Sequence, residues 1–176
     1  MITGQEILKR VVKGDIVIEP FNPVNINPNS YNITLGGELM VYTGRTLDVR
    51  KQNKTKVIQI PENGIVLKPG RLYLGVTQEW TETYNLVPKI EGRSSIGRLG
   101  LFIHITAGFG DIGFCGRWTL ELVATKRVRV YAGMKIGQLS YYVPDGDLGI
   151  VYEGKYQNSM TVQGSAIHKD LEDATR

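Results

Sequence analysis

EGRSSIGRLGLFIHITAGFGDIGFCGRWTLELVA, residues 91–124, interleaves short apolar strings with glycine-rich bends. Its last eight residues, RWTLELVA (117–124), carry the clearest period. In a strand, alternate side chains share a face. Trp118, Leu120 and Leu122 then face one way, and Thr119, Glu121 and Val123 the other. A carboxylate among such neighbours is either partly desolvated and suited to proton transfer, or exposed on a solvated strand face.

The bends around this strand carry polar chemistry. Gly92-Arg93-Ser94-Ser95 and Gly97-Arg98 offer backbone N–H groups, two hydroxyls and two guanidinium forks, the donors an anion uses. Residues 94–98 also suit one helical turn with its N-terminus toward the anion. A turn with a solvated Arg pair would look the same. The string is not a Walker loop, which needs GxxxxGK[ST]. His104, between Ile103 and Ile105, suits a base, a hydrogen-bond orienter or a core histidine. Asp111 follows Gly110 at a bend, where it either accepts from a sugar hydroxyl or caps the turn.

Working outward, Thr3-Gly4-Gln5-Glu6 predicts a capping box for a short helix. Its apolar face is Ile7, Leu8, Val11 and Val12, and Gly14 ends it. Residues 15–19 read as a strand stopped by Pro20, and 21–29 as a loop. Residues 30–42 resume a β pattern, with a bulge or bend at Gly36-Gly37. Residues 43–56 are polar and basic and read as a surface excursion. Short strands follow at 57–60, 65–67, 72–76, 128–131 and 135–142, with turns at 61–64, 69–70 and Gly133. Residues 81–86 lead through Val87-Pro88 into Lys89-Ile90-Glu91. Many short strands with regular turns and one small helix predict a mainly β sandwich or jelly roll.

The 176 residues suffice for one domain with a proper core, and 41% hydrophobic with 22% charged residues is ordinary for a globular protein. A net charge of +4 is too mild to argue for nucleic acid but fits a small polyanion. One cysteine, Cys115, leaves no internal disulfide and no Cys-rich zinc site. Two histidines also leave no H-x-E…P-C-x-x-C zinc deaminase motif. No apolar run approaches membrane-spanning length and no signal peptide is read, so no membrane partner and a cytoplasmic location are expected.

Taken together, GRSSIGRLGL (92–101), HITAGF.D.GF.G (104–116), TLEL (119–122) and G.KIGQL (133–139) resemble the dCTP deaminase branch of the trimeric dUTPase superfamily. Weaker likeness extends through NSYNITLG (29–36), LKPGRLYLGVTQE (67–79) and GKYQ (154–157). The resemblance implies an all-β, distorted dUTPase-like jelly roll with a short N-terminal helix, assembled as a homotrimer with active sites between subunits. By the same likeness, Arg93, Ser94, Ser95 and Arg98 hold a triphosphate that carries a magnesium ion, without zinc. Asp111 holds the 3′-hydroxyl, and backbone at Thr106, Ala107 and Thr119 reads the pyrimidine. Glu121 is the general acid/base, with Arg98 and Ser94 as its catalytic companions. Ile96, Gly97, Leu120, Gln138 and Tyr152 also fall at the nucleotide. The tail, 144–176, becomes a flap over the nucleotide with Lys155 near the phosphates, against the alternative of a disordered tail frayed from Lys169. The family places a Gln four residues after that Lys. Here Ser159 stands there, flanked by Gln157 and Gln163.

The implied activity is zinc-independent deamination of dCTP within one 176-residue domain. Relatives that go on to dUMP and pyrophosphate read A-G-[FW] where the single-step type reads A-H-R. Ala107-Gly108-Phe109 follows the dUMP-forming pattern. Gly110, Ile112 and Val123-Ala124 depart from the usual residues. Release of dUTP is the alternative product, and dTTP the expected inhibitor. A plain dUTPase would place Tyr at Phe114 and end in a glycine-rich arm, and Glu121 would have no task in it. A nucleotide-sensing module on the same fold would bind without turnover.

Overall fold

Thr3 caps helix α1 (Gly4–Lys13), its Oγ1 accepting from Glu6 N–H at 3.3 Å, and Gly14 ends it in the left-handed conformation with φ 86°. Only half of the expected capping box forms, because the Glu6 carboxylate pairs with Arg10 Nε at 3.1 Å. Ile7 is fully buried, with Val11 against the core, whereas Val12 is 83% exposed, contrary to expectation. At 100° per residue Val12 lies well away from the Ile7–Val11 stripe. The computed structural model describes residues 1–173. Residues 174–176, the end of the expected tail, lie outside the described residues.

The mainly β expectation holds, and all strand pairs among the named strands are antiparallel. The strands are β1 (Ile16–Glu19), β2 (Tyr31–Tyr42), β3 (Thr55–Gln59), β4 (Ile65–Leu67), β5 (Leu72–Thr83) and β6 (Val87–Gly92). One helical turn, α2 (Ser94–Gly97), precedes β7 (Leu101–Phe102), β8 (Cys115–Ala124), β9 (Val128–Val130) and β10 (Lys135–Tyr142). The main sheet runs β6-β10-β2-β5-β8-β7, with β1 added to β5 and β3 to β2, while β4 and β9 form a separate pair. The core is the sheet's inner face: Ile33, Leu35 and Leu39 from β2, Leu120 and Leu122 from β8, Leu139 and Tyr141 from β10.

β5 is longer than the sequence pattern suggests. It continues through 77–80, where its register with β8 slips between Val76 and Trp80. Thr77 bridges the slip: its Oγ1 accepts from Trp118 N–H at 2.9 Å and donates to Glu79 O at 2.8 Å. A side chain stands in for the ladder there, so the bulge is satisfied without breaking the strand. β2 slips opposite it, between Leu35 and Leu39, at the Gly36-Gly37 site. At the far end the chain forms a short helix, α3 (Ile167–Asp173), where a charged, frayed end was expected.

Candidate active site

The period-two reading of β8 holds. Trp118, Leu120 and Leu122 enter the core, while Arg117, Thr119 and Glu121 face a cleft of about 700 Å³. Backbone direction alternates as well. Trp118 N–H points to β5, at Thr77. Glu121 N–H donates to Ile103 O at 2.8 Å and Arg117 N–H to Ser159 O at 2.8 Å, both away from β5. The N–H and C=O of Thr119, between them, face that same edge. The edge is a gap, closed at one end by the segment after β7 and at the other by the tail.

The segment 103–110 is held in place by β6. Ile90 N–H donates to Gly108 O and Gly110 N–H to Pro88 O, each at 2.8 Å. Two glycines allow this close approach. A Cβ on Gly108 would lie 2.9 Å from His104 Cε1 and 3.0 Å from Ile90 O, and one on Gly110 would lie 2.2 Å from Trp118 Cη2. Gly110, which departs from the family pattern, thus makes room for the Trp118 indole. Ile105 N–H then reaches Glu121 Oε2 at 3.4 Å. His104 lies behind this segment, with Nε2 3.6 Å from Glu91 Oε2, while Lys89 Nζ holds the other Glu91 oxygen at 2.5 Å. The Lys89 hydrogen bond keeps the Glu91 carboxyl below its ordinary range, and Glu91 in turn raises Lys89. His104 thus lies outside the cleft lining.

Asp111 is exposed and lines the cleft, and its carbonyl accepts from Phe114 N–H at 3.1 Å. Phe114 packs on Trp118 (ring centroids 5.0 Å) and on Tyr152 (5.8 Å), giving that end an aromatic wall. The tail supplies the other wall. Val162 is buried against Leu74 and Val76, and its N–H reaches Glu38 Oε1 at 3.2 Å. Gln163 N–H donates to Thr119 Oγ1 at 3.1 Å, and Ser165 N–H to Tyr42 Oη at 2.8 Å. The two glutamines separate in role. Gln157 spends its amide on backbone, accepting from Cys115 N–H at 2.9 Å and donating to Gly113 O at 2.7 Å. Gln163 lines the cleft. Ser159, at the position where the family carries Gln, is buried and also lines it.

Of the expected residues, the cleft gathers Thr106, Ala107, Asp111, Thr119, Glu121 and Tyr152. Leu120 is not among them, because its side chain is buried in the core. Lys155 is not either. It ion-pairs with Asp170, which holds it charged above its ordinary range. The anion cradle also lies apart. α2 is the expected helical turn, with Ile96 buried and Ser94, Ser95 and Arg98 exposed, and Arg93 Nη1 donates to Lys135 O at 3.4 Å. None of residues 93–98 lines the cleft, nor does Gln138, whose Oε1 accepts from Ser30 Oγ at 2.9 Å. Sequence reasoning missed Arg117, which shares the parity of Thr119 and Glu121 and was findable from it. Tyr42 and Leu47 also line the cleft, from a distant strand and loop, with no local signal.

Comparison with known proteins agrees with this architecture. The family model described as dCTP deaminase-like matches residues 1–143. A protein of Leptospira biflexa called "dCTP deaminase, dUMP-forming" is 52% identical over 172 residues, 98% of each chain. One of Clostridium acetobutylicum with the same name is 54% identical over 171 residues, 97% of this chain and 98% of its own. The crystal structure of 2′-deoxycytidine 5′-triphosphate deaminase from Agrobacterium tumefaciens superposes with TM-score 0.64 at 18% identity, over 81% of this chain, and so shares its fold. This chain spans only 48% of that longer one. With a family match over most of its length and relatives this similar from end to end, the chain belongs to the dCTP deaminase-like family.

Proposed function

We propose that the chain deaminates dCTP and then cleaves the product's triphosphate, yielding dUMP and pyrophosphate. The observation that carries this reading is the open edge of β8. There a main-chain donor and acceptor at Thr119 adjoin a carboxylate, Glu121, about 7 Å along the strand. Paired N–H and C=O groups suit a pyrimidine edge, which presents both acceptors and donors. Glu121, whose Oε2 accepts from Ile105 N–H, takes a proton from the water that attacks C4. It then returns protons to N3 and to the departing ammonia. The second step is attack of water on the α-phosphate, which breaks its bond to the bridging oxygen and releases pyrophosphate. The dUMP-forming names of the full-length relatives and the Ala107-Gly108-Phe109 string support this second step.

The donors expected for the phosphates do not line the cleft. Ser94, Ser95 and Arg98 are exposed on α2, outside it. Their separation from Glu121 supports a site shared between copies of the chain, as in a homotrimer, with one copy's cradle facing another's cleft. Among the described residues no three His, Cys, Asp or Glu side chains converge as metal ligands. A magnesium ion would ride on the phosphate oxygens, where it offsets their charge. No described helix is long and apolar enough to cross a membrane.

The test is a product assay with magnesium, supplying dCTP or dUTP. We expect dUMP, pyrophosphate and ammonia from dCTP. Accumulating dUTP would leave a single-step deaminase. Cleavage of dUTP alone, with dCTP untouched, would overturn the role given to Glu121. Glu121→Gln should lower ammonia release by about 10²–10⁴-fold with an unchanged unfolding curve.

A further inference from the structure

Charge on this chain is concentrated at one pole. Pairing of Tyr42 with Thr55, Met40 with Leu74, Leu72 with Val123, and Leu101 with Ala124 brings five strand ends to the same end of the sheet. The segments that leave this end are basic. Arg45, Arg50, Lys51 and Lys54 lie on 43–54, between β2 and β3. Lys68 and Arg71 lead into β5, and Arg98 precedes β7. Lys126 and Arg127 follow β8. All of these cations are exposed. The one carboxylate on these segments, Asp48, is held by Lys51 Nζ at 3.2 Å. Nine cations less one carboxylate leave the pole at +8 on a chain whose whole net charge is +4, so the rest of the sequence sums to −4.

The pole adjoins the cleft. Leu47, on the same loop as Arg45 and Arg50, lines it, and so does Leu72, next to Arg71. Leu74 beside them is the cross-strand partner of Glu121. An apolar wall beneath a ring of like charge focuses field lines into the mouth it surrounds. No aromatic residue stands on these four segments, so the bases of a single-stranded nucleic acid would find no stacking platform there.

We propose that this pole collects nucleoside triphosphates for the cleft, acting on capture through its field and not on chemistry through contact. The proposal rests on the nucleotide reading of the cleft. Apart from Arg98, which the phosphate cradle already claims, it assigns a role to cations outside the proposed catalytic machinery, and it predicts dependence on ligand charge. For four of them at roughly 15 Å from the phosphates, screened Coulomb attraction at about 0.1 M salt corresponds to about fivefold in affinity for a magnesium-free triphosphate of charge about −4. It corresponds to about twofold for a monophosphate and to no change for the uncharged nucleoside.

The experiment compares the full chain with Arg45→Gln/Arg50→Gln/Lys54→Gln/Lys126→Gln, none of which belongs to the proposed catalytic machinery. Glu121→Gln is added to both so that bound dCTP persists, and binding of dCTP, dCMP and deoxycytidine is titrated calorimetrically without magnesium. At low salt the expected losses follow ligand charge, and they vanish near 1 M salt, where the Debye length is about 3 Å. In the active background kcat should stay that of the parent while KM rises. Equal dCTP affinity in variant and parent overturns the proposal and leaves the nucleotide reading intact. An equal loss for all three ligands overturns it also, since that marks a structural effect. A parent that binds no nucleotide overturns the site reading beneath it. Retention of a single-stranded oligonucleotide by the pole, with dCTP affinity unaltered, would make it a nucleic-acid surface instead.

Discussion

Gly110→Ala should destabilise the chain through one contact. The added Cβ would stand 2.2 Å from Trp118 Cη2, where ordinary contact begins at 3.4 Å, so about 1.2 Å must be found. Neither partner moves freely. Pro88 Cγ lies 3.0 Å from the same Cβ, and Gly110 N–H is bonded to Pro88 O at 2.8 Å. Trp118 is tied by Nε1–H to Thr81 Oγ1 at 2.8 Å and packed on Phe114. Overpacking of this kind costs about 1–3 kcal/mol, and loss of the indole hydrogen bond about 1 kcal/mol more. A loss of about 2–4 kcal/mol is therefore expected, read as a lower urea midpoint at fixed protein concentration. Asp111 is the next residue, so KM for dCTP should rise as well. Trp118→Phe removes the atoms that collide. The pair of substitutions should then cost about 1–2 kcal/mol less than the sum of the single ones. Strict additivity, or a Gly110→Ala midpoint equal to the parent's, would refute the steric account of this glycine.

Two further outcomes follow from buried polar groups. Glu79 is 2% exposed and accepts from Thr34 N–H and Oγ1, and burial raises its pKa above the ordinary 4.5. A raised folded value means that its stabilisation is complete below the ordinary value and is lost as pH rises through the folded one. Glu79→Gln should therefore gain stability relative to the parent as pH is raised above 4.5, and parallel pH profiles of the two urea midpoints would sink the idea. Gln157→Ala leaves Cys115 N–H without its side-chain partner and Gly113 O with only the Cys115 Sγ contact at 3.4 Å. At about 1–3 kcal/mol for groups so orphaned, the tail should open more often and be cut faster by protease, and an unchanged cleavage rate would count against the pinning role.

Much was legible in the sequence because it is local. Alternation along 117–124 assigns each side chain of β8 to a face, since the pleat repeats every two residues whatever lies beside the strand. Capping by Thr3 and Gly14 and the turn at 94–97 depend on neighbours within a few positions. The motif strings carried the family for the same reason, being contiguous runs of residues. Tertiary structure alone decided the rest. Which amides of β8 face an open edge depends on what pairs with it, and Ile103 and Ser159 lie far apart in the chain. β5 runs through its bulge because Trp118 N–H finds Thr77. The cleft's outer wall is tail, held by Glu38, Tyr42 and Thr119, and its basic rim is assembled from four loops that no window of sequence contains together. A periodic pattern states how a segment meets its own neighbours. Pairing partners, glycine clearances and summed charge are properties of distance in space, and only the folded chain sets those distances.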